Sequence, residues 1–317
     1  MKGPKTLYLV IPCYNEEQVL NITAETLKDK IENLKERNII SKESRILFVN
    51  DGSKDQTWSI IERLCNKNSL YQGIKLSRNE GHQNAVLAGL MTAKAYCDMA
   101  ISLDADLQDD IDVIDQFVDE YYDGNDIVYG VRSKRDADTF FKRFSAESFY
   151  KLLKLFGVEI VYNHADYRLM SKRALEGLAQ FKEVNLFLRG IVPLIGYPSS
   201  VVTYERHERF AGESKYPLKK MLSLAFDGIT SFSIKPIRMI SIVGVVSFLV
   251  SVGILVYSLI MNYLGQTITG WTSLACSIWA LGGVQLLAIG IIGEYIGKIY
   301  NETKERPKYF IETFIKN

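Results

Sequence analysis

The sequence predicts an α/β domain built on a mostly parallel sheet, followed by a pair of membrane-spanning helices. Three observations carry this expectation. Five apolar runs rich in β-branched and aromatic residues recur through the first half, with helical periodicity between most of them. A cluster of polar residues follows each run. Residues 239–293, 55 in a row, contain no Asp, Glu, Lys or Arg.

The expected strands cover residues 6–11, 45–50, 73–76, 99–103 and 126–130. Between the first two, residues 17–37 place Val19, Ile22, Thr26, Ile31 and Leu34 at helical intervals, and residues 57–65 and 85–96 behave similarly. Residues 217–235 space Leu218, Met221, Leu222, Ala225, Ile229 and Phe232 as an amphipathic helix does, with Lys219, Lys220 and Asp227 elsewhere. That pattern suits a helix lying on a membrane surface, or one docked on the sheet domain. A span needs about 20 apolar residues, so the uncharged stretch holds two, at 239–261 and 271–293. The expected organisation is therefore a sheet domain (1–216), a juxtamembrane helix (217–236), two transmembrane helices (237–297) and a tail (298–317).

Charge patterning orients the spans. Lys235 and Arg238 precede the first; Lys298, Lys304, Arg306 and Lys308 follow the second; the connection 262–270 has neither Lys nor Arg. The positive-inside rule then places the sheet domain and both termini on the cytoplasmic side of the cell (inner) membrane. Residues 1–5 are short and polar and lead straight into a strand, so no cleavable signal is expected. Gly282-Gly283 and Gly290-x-x-Gly293 would allow close helix approach, within one chain or between copies in a homo-oligomer.

Composition removes several classes. Lys plus Arg is 38 against 37 for Asp plus Glu, a net charge of +1, which argues against nucleic acid as a partner held by bulk charge. Cys13, Cys65, Cys97 and Cys276 form no C-x-x-C pair, and His82, His164 and His207 no H-x-x-x-H spacing. Neither G-x-G-x-x-G nor G-x-x-x-x-G-K-[ST] is present.

In such sheets ligands bind beyond the carboxyl ends of the strands. The residues there are Pro12-Cys13-Tyr14-Asn15-Glu16, Asn50-Asp51-Gly52-Ser53-Lys54-Asp55, Arg78-Asn79-Glu80-Gly81-His82-Gln83-Asn84-Ala85, Asp104-Ala105-Asp106-Leu107-Gln108-Asp109, and Arg132 with Ser133. Asp104 and Asp106 flank one small residue, and alternate residues of an extended segment point to one side. Both can meet one hard cation, Mg²⁺ or Mn²⁺, which commonly bridges carboxylates to a diphosphate. Taken alone, Asp-x-Asp is more often a solvated turn or helix cap; the preceding strand and the other edge clusters favour the metal. Asp51-Gly52-Ser53 suits a strand-to-helix turn, and Asp51 can also accept a hydrogen bond from a base or ribose. Tyr14 suits stacking on a base or a place in the core. His82 is a histidine in a turn, more often a satisfied loop residue than a ligand.

Together these motifs resemble the family-2 glycosyltransferases of GT-A (Rossmann-like) fold. The matching pieces are Pro12-x-Tyr14-Asn15-Glu16, Asp51-Gly52-Ser53-x-Asp55-x-Thr57, Asn79-x-Gly81 and Asp104-Ala105-Asp106-x-Gln108. Further on, Asp166-Tyr167-Arg168-Leu169, Arg206-x-x-Arg209-x-x-Gly212-x-Ser214-Lys215-Tyr216 and Gly293-Glu294-Tyr295-Ile296-Gly297-Lys298 are similar to the polyprenyl-phosphate branch, which includes dolichol-phosphate mannose synthases and bactoprenol glucosyltransferases. The resemblance implies that Pro12, Tyr14, Glu16 and Asp51 hold the nucleoside. Asp104, Asp106 and Gln108 would surround the metal and diphosphate, and Arg132, Arg209 and Lys215 the phosphates of donor or acceptor. Asp166 would be the catalytic base. A phosphate monoester is already largely ionised at neutral pH, its second pKa being about 6, which leaves Asp166 either a residual proton to accept or an orienting, charge-stabilising role.

The implied reaction is inverting transfer of a hexose from a nucleotide sugar, UDP-glucose first and UDP-N-acetylglucosamine second, to undecaprenyl phosphate at the membrane. Processive polysaccharide synthases carry Gln-x-x-Arg-Trp, and here no Trp follows an Arg. A non-catalytic lipid carrier or flippase subunit would need more spans or a polar channel lining.

Overall fold

A computed structural model describes residues 3–133, 164–183, 187–205, 230, 233, 235–264 and 270–316. The expected juxtamembrane helix lies almost wholly outside them, as do Arg209 and Lys215. The chain divides into two compact units, a sheet domain to which the C-terminal residues return and a unit holding the apolar helices.

The sheet domain opens with β1 (Leu7–Cys13), buried throughout. A strand covered on both faces reads as a continuous apolar run. It pairs in parallel with β2 (Arg45–Asn50) and with β4 (Met99–Ser102), and β2 pairs in parallel with β3 (Tyr71–Leu76). The connecting helices are α1 (Leu20–Glu36), α2 (Thr57–Lys67) and α3 (His82–Ala93). Leu7, Leu9, Ile11 and Cys13 share a core with α1 and with α4 (Ile114–Tyr122), which follows a 3₁₀ turn at Ile111–Val113. Val10, pointing the other way, meets α3. On α1 the inward stripe is Leu20, Thr23, Ala24, Leu27, Ile31 and Leu34; Ile22, expected inside, is 42% exposed.

The contact between α3 and the sheet is close. A Cβ on Gly89 would fall 2.3 Å from Val10 Cγ1 and 2.8 Å from Val49 Cγ2, both on the sheet beneath. Gly89→Ala is therefore expected to destabilise the domain by about 1–3 kcal/mol through overpacking. A lowered thermal midpoint in detergent would show it, against the stabilisation that alanine ordinarily gives a helix.

Beyond β4 the sheet departs from the parallel expectation. The order is β7 (Ser199–Tyr204), β5 (Ile127–Arg132), β6 (His164–Ser171), β4, β1, β2, β3 and β8 (Ile311–Ile315). Strand β6 inserts antiparallel between β4 and β5, and β7 pairs in parallel with β5. Two short helices, α5 (Lys172–Leu178) and α6 (Leu188–Leu194), separate β6 from β7. Ser171 caps α5 by accepting the Ala174 N–H at 3.0 Å while donating to Asp126 at 2.6 Å.

The expected tail is partly strand. β8 (Ile311–Ile315) pairs antiparallel with β3, and Lys75 and Glu312 form an ion pair across them at 2.8 Å. Its Ile-Glu-Thr-Phe-Ile run alternates weakly, and the charged residues before it mask it as a tail.

The second unit contains α7 (Lys235–Tyr263) and α8 (Trp271–Thr303). Both contain segments long and apolar enough to cross a membrane. Twenty-nine residues of α7 make about 43 Å of helix, more than the roughly 30 Å of a hydrocarbon core. Leu249, Ile254, Leu286 and Leu287 on these helices are each more than 60% exposed. The second helix runs ten residues past the expected span. In that extension the Tyr295 hydroxyl donates to the Ser233 carbonyl at 2.5 Å, and Lys298 donates to Thr230 Oγ1.

Candidate active site

The carboxyl ends of β1 and β2 are laced together. Asn15, at φ 54°, donates its N–H to Ser53 Oγ at 3.0 Å and accepts the Lys54 N–H on Oδ1 at 2.9 Å. Glu16 N–H donates to Thr57 Oγ1 at 2.9 Å, and Thr57 donates through its N–H and hydroxyl to Asp55 Oδ1. Burial raises the Asp55 carboxyl, but these bonds outweigh it and hold it below its ordinary value. Pro12 is buried at the end of β1, opposite Val49, whereas Tyr14 is 37% exposed. An exposed ring on a braced loop suits stacking.

Asp51 is 2% exposed. Its Oδ1 accepts the Glu80 N–H at 2.7 Å, its Oδ2 the Gly81 N–H at 3.0 Å, and its carbonyl the Asn79 side-chain amide at 3.2 Å. Burial raises its carboxyl, and the two N–H groups restrain the rise. In the structure Asp51 fixes the β3–α3 loop. Gly52 permits that approach: at φ +61°, a Cβ there would lie 2.4 Å from the Asn79 nitrogen and 2.5 Å from the Arg78 carbonyl carbon.

Register brings the second half of the site into place. Ser102 on β4 pairs with Arg168 on β6, so Asp166, two residues earlier, lies level with Asp104, two residues later. Ser102 Oγ locks the alignment by donating to the Asp166 carbonyl at 2.6 Å. His82, at the start of α3, sits between them, Nε2 being 3.7 Å from Asp104 Oδ1 and 3.7 Å from Asp166 Oδ2. Burial lowers the imidazole, but Asp166 and Asp104 outweigh it and push it up to about 9, against Arg189. Both carboxylates thus favour the protonated imidazole.

Arg189 on α6 and Arg168 on β6 both contact Asp166, at 3.0 Å and 2.7 Å. Burial alone would raise this carboxyl; Arg189, His82 and Arg168 hold it well below the usual range. Asp104 moves the other way. Burial, with Asp109, Asp166 and Asp106 nearby, pushes it up to about 6 although His82 opposes. Crowded carboxylates of this kind are what a divalent cation relieves.

Asp106 accepts the Gln108 backbone N–H on Oδ1 at 3.3 Å, with Leu107 between them at φ 54°. Gln108 is 8% exposed. Among the described residues no three His, Cys, Asp or Glu side chains form a closed metal site. Mg²⁺ commonly takes one or two carboxylates and completes its shell with water and substrate phosphates. Asp104 and Asp106, hard oxygen donors at an open edge, fit that requirement.

Arg132 is engaged by Asp109 at 3.5 Å and lies 3.4 Å from the Tyr204 hydroxyl, which donates to Asp109 at 2.5 Å. Tyr204 in turn stacks edge-on against Tyr167, which donates to the Asp110 carbonyl at 3.1 Å. Sequence reasoning missed His82, Gln83, Arg189, Asp109 and Tyr204 as parts of the site. His82, Gln83 and Asp109 lie in the clusters that follow β3 and β4, which was a signal for them; Arg189 and Tyr204 carry none.

Such a mixed sheet, with an Asp-x-Asp pair at the carboxyl edge of its central strands, is the GT-A fold of nucleotide-sugar-dependent glycosyltransferases. The chain belongs to glycosyl transferase family 2, whose sequence profile matches residues 8–178. It is a glycosyltransferase. A Bacillus subtilis (strain 168) protein described as an uncharacterized glycosyltransferase, YkoT, is 54% identical over 311 residues, 98% of this chain and 92% of its own. A prophage bactoprenol glucosyl transferase homolog of Escherichia coli (strain K12) is 40% identical over 309 residues, 96% of this chain and 97% of its own. The bactoprenol glucosyl transferase of Shigella phage SfV is 41% identical over the same fractions. Among solved structures, mannosyl-3-phosphoglycerate synthase from Rubrobacter xylanophilus aligns with 70% of this chain and 71% of its own at 17% identity, TM-score 0.46.

Proposed function

We propose that the protein transfers a hexose, glucose from UDP-glucose, onto undecaprenyl phosphate with inversion at the anomeric carbon. The observation that carries this is the junction of Asp104, His82 and Asp166 at the sheet edge beside Asp106. The relatives described as bactoprenol glucosyl transferases and the two long apolar helices support the lipid acceptor.

In the step, a phosphate oxygen of the acceptor forms the bond to the anomeric carbon. The bond from that carbon to the donor diphosphate breaks, and its electron pair leaves with UDP. Asp104, Asp106 and Gln108 would hold Mg²⁺ or Mn²⁺, whose chemistry is to neutralise charge on the departing diphosphate. Asp166, whose carboxyl Arg189, His82 and Arg168 hold well below the usual range, is disfavoured as a proton acceptor. The acceptor needs little help of that kind, since its phosphate is largely ionised at neutral pH. Asp166 instead orients the acceptor and offers negative charge to the developing oxocarbenium carbon. Pro12, Tyr14, Glu16 and Asp51 form the nucleoside side of the cleft, and Arg132, Arg209 and Lys215 serve the phosphates.

The helix pair places the enzyme where its lipid substrate lies, which raises the effective concentration of both. The return of β8 to the sheet supports an even number of crossings. The positive-inside rule makes the side of the sheet domain cytoplasmic.

The test is a donor panel on detergent-purified protein. Each nucleotide sugar is incubated with undecaprenyl phosphate and Mg²⁺ or Mn²⁺, and the lipid product is weighed by mass spectrometry. A hexosyl phospholipid formed from UDP-glucose and lost with EDTA is the expected result. An N-acetylhexosaminyl product would replace the donor, and no lipid product from any donor would overturn the acceptor.

A further inference from the structure

Asp166 is held at both oxygens by one planar group. Arg189 meets it side-on, Nε to Oδ1 at 3.2 Å and Nη2 to Oδ2 at 3.0 Å. Arg168 reaches only Oδ1, at 2.7 Å. A single-point contact leaves a carboxylate free to turn about it, whereas a two-point contact fixes its plane. The two arginines also differ in setting: the Arg168 side chain is 3% exposed, that of Arg189 36%.

Arg189 owes its place to the start of α6. The Leu188 N–H donates to Gln83 Oε1 at 2.8 Å, and the Leu188 carbonyl accepts from Arg168 Nη1 at 3.4 Å. Gln83 is the second residue of α3, next to His82. The two helix starts that flank Asp166 are thus tied together across 105 positions of sequence.

We propose that Arg189 is a positioning residue that fixes the carboxylate plane of Asp166 during transfer, and that Gln83 sets Arg189 in place through the first turn of α6. This rests on the reading of Asp166 as the group facing the reacting carbon. Displacement of about 1 Å at such a centre can cost roughly 100-fold in rate. The predicted loss therefore falls on kcat rather than on donor binding.

Full-length Arg189→Ala, Arg189→Lys, Gln83→Leu and the Gln83→Leu/Arg189→Ala double variant are assayed in detergent. Undecaprenyl phosphate and the nucleotide sugar used by the wild type are supplied, and thermal midpoints are measured alongside. Arg189→Ala is expected to lower kcat by roughly 100-fold at little-changed donor KM. Lysine, a point charge without the planar fork, recovers only part. Gln83→Leu lowers kcat by roughly tenfold alone and adds nothing once Arg189 is gone, since both act through one contact. A raised KM at unchanged kcat in Arg189→Ala, or additive losses in the double variant, overturns the proposal. A collapsed thermal midpoint in Arg189→Ala passes the decision to Arg189→Lys and Gln83→Leu. Asp166→Asn separates the two levels: wild-type kcat there sinks the reading of Asp166 itself, whereas an inactive Asp166→Asn beside a fully active Arg189→Ala sinks the positioning role alone.

Discussion

Asp106→Ala is expected to abolish sugar transfer while leaving the protein folded. Asp106 is half-buried on the loop beyond β4 and is not part of the apolar core; its loss removes the acceptor of the Gln108 N–H. It also removes one of two carboxylates available to a cation at the sheet edge. Charge stabilisation of a leaving diphosphate is worth several kcal/mol, which corresponds to a rate loss of about 1000-fold or more. The check is turnover across a range of Mg²⁺ and Mn²⁺ concentrations, with a thermal midpoint to show that the fold survives. Wild-type turnover at any metal concentration would falsify the metal assignment.

Gly52→Ala is expected to disable the proposed donor side of the cleft through the backbone it packs against. The residue sits at φ +61°, and its missing side chain faces the backbone of Arg78 and Asn79. A methyl group there meets main chain that cannot rotate aside. Left-handed strain and the clash together cost roughly 3 kcal/mol or more. The cheapest relief is to push the β3–α3 loop outward, which breaks the two N–H bonds from Glu80 and Gly81 to Asp51 and carries His82 with it. UDP affinity measured by calorimetry should fall together with the thermal midpoint. Unchanged UDP affinity would show that the loop and the nucleoside subsite are independent.

The parallel half of the fold was legible because each strand there is buried on both faces and reads as an apolar run. Its edge motifs were legible because polar clusters follow one strand after another, although each alone suits a turn or cap. Strand β6 was not. Asp166 and Arg168 make it look like a loop, and they are tolerated in a central strand only because they satisfy each other and Arg189. That compensation is invisible until the strands are ordered. The same holds for His82, which looks like a turn residue until β6 brings Asp166 level with Asp104. Arg132 was legible as a cation at a strand end, but not its engagement by Asp109 and Tyr204, residues on two other elements. The apolar helices were plain from their lack of charge, though α8 continues through charged residues where composition alone suggested an end.

The last strand changes what kind of object the chain is. Because β8 lies against β3, everything between β7 and β8 forms a loop whose two ends are sewn into one sheet. A domain hung on a single leash is lost when the leash is cut. Here one break anywhere in the loop leaves two pieces that still share the β3–β8 ladder and the Lys75–Glu312 pair. The sheet domain therefore holds both ends of the chain that forms the helix unit, one at β7 and one at β8.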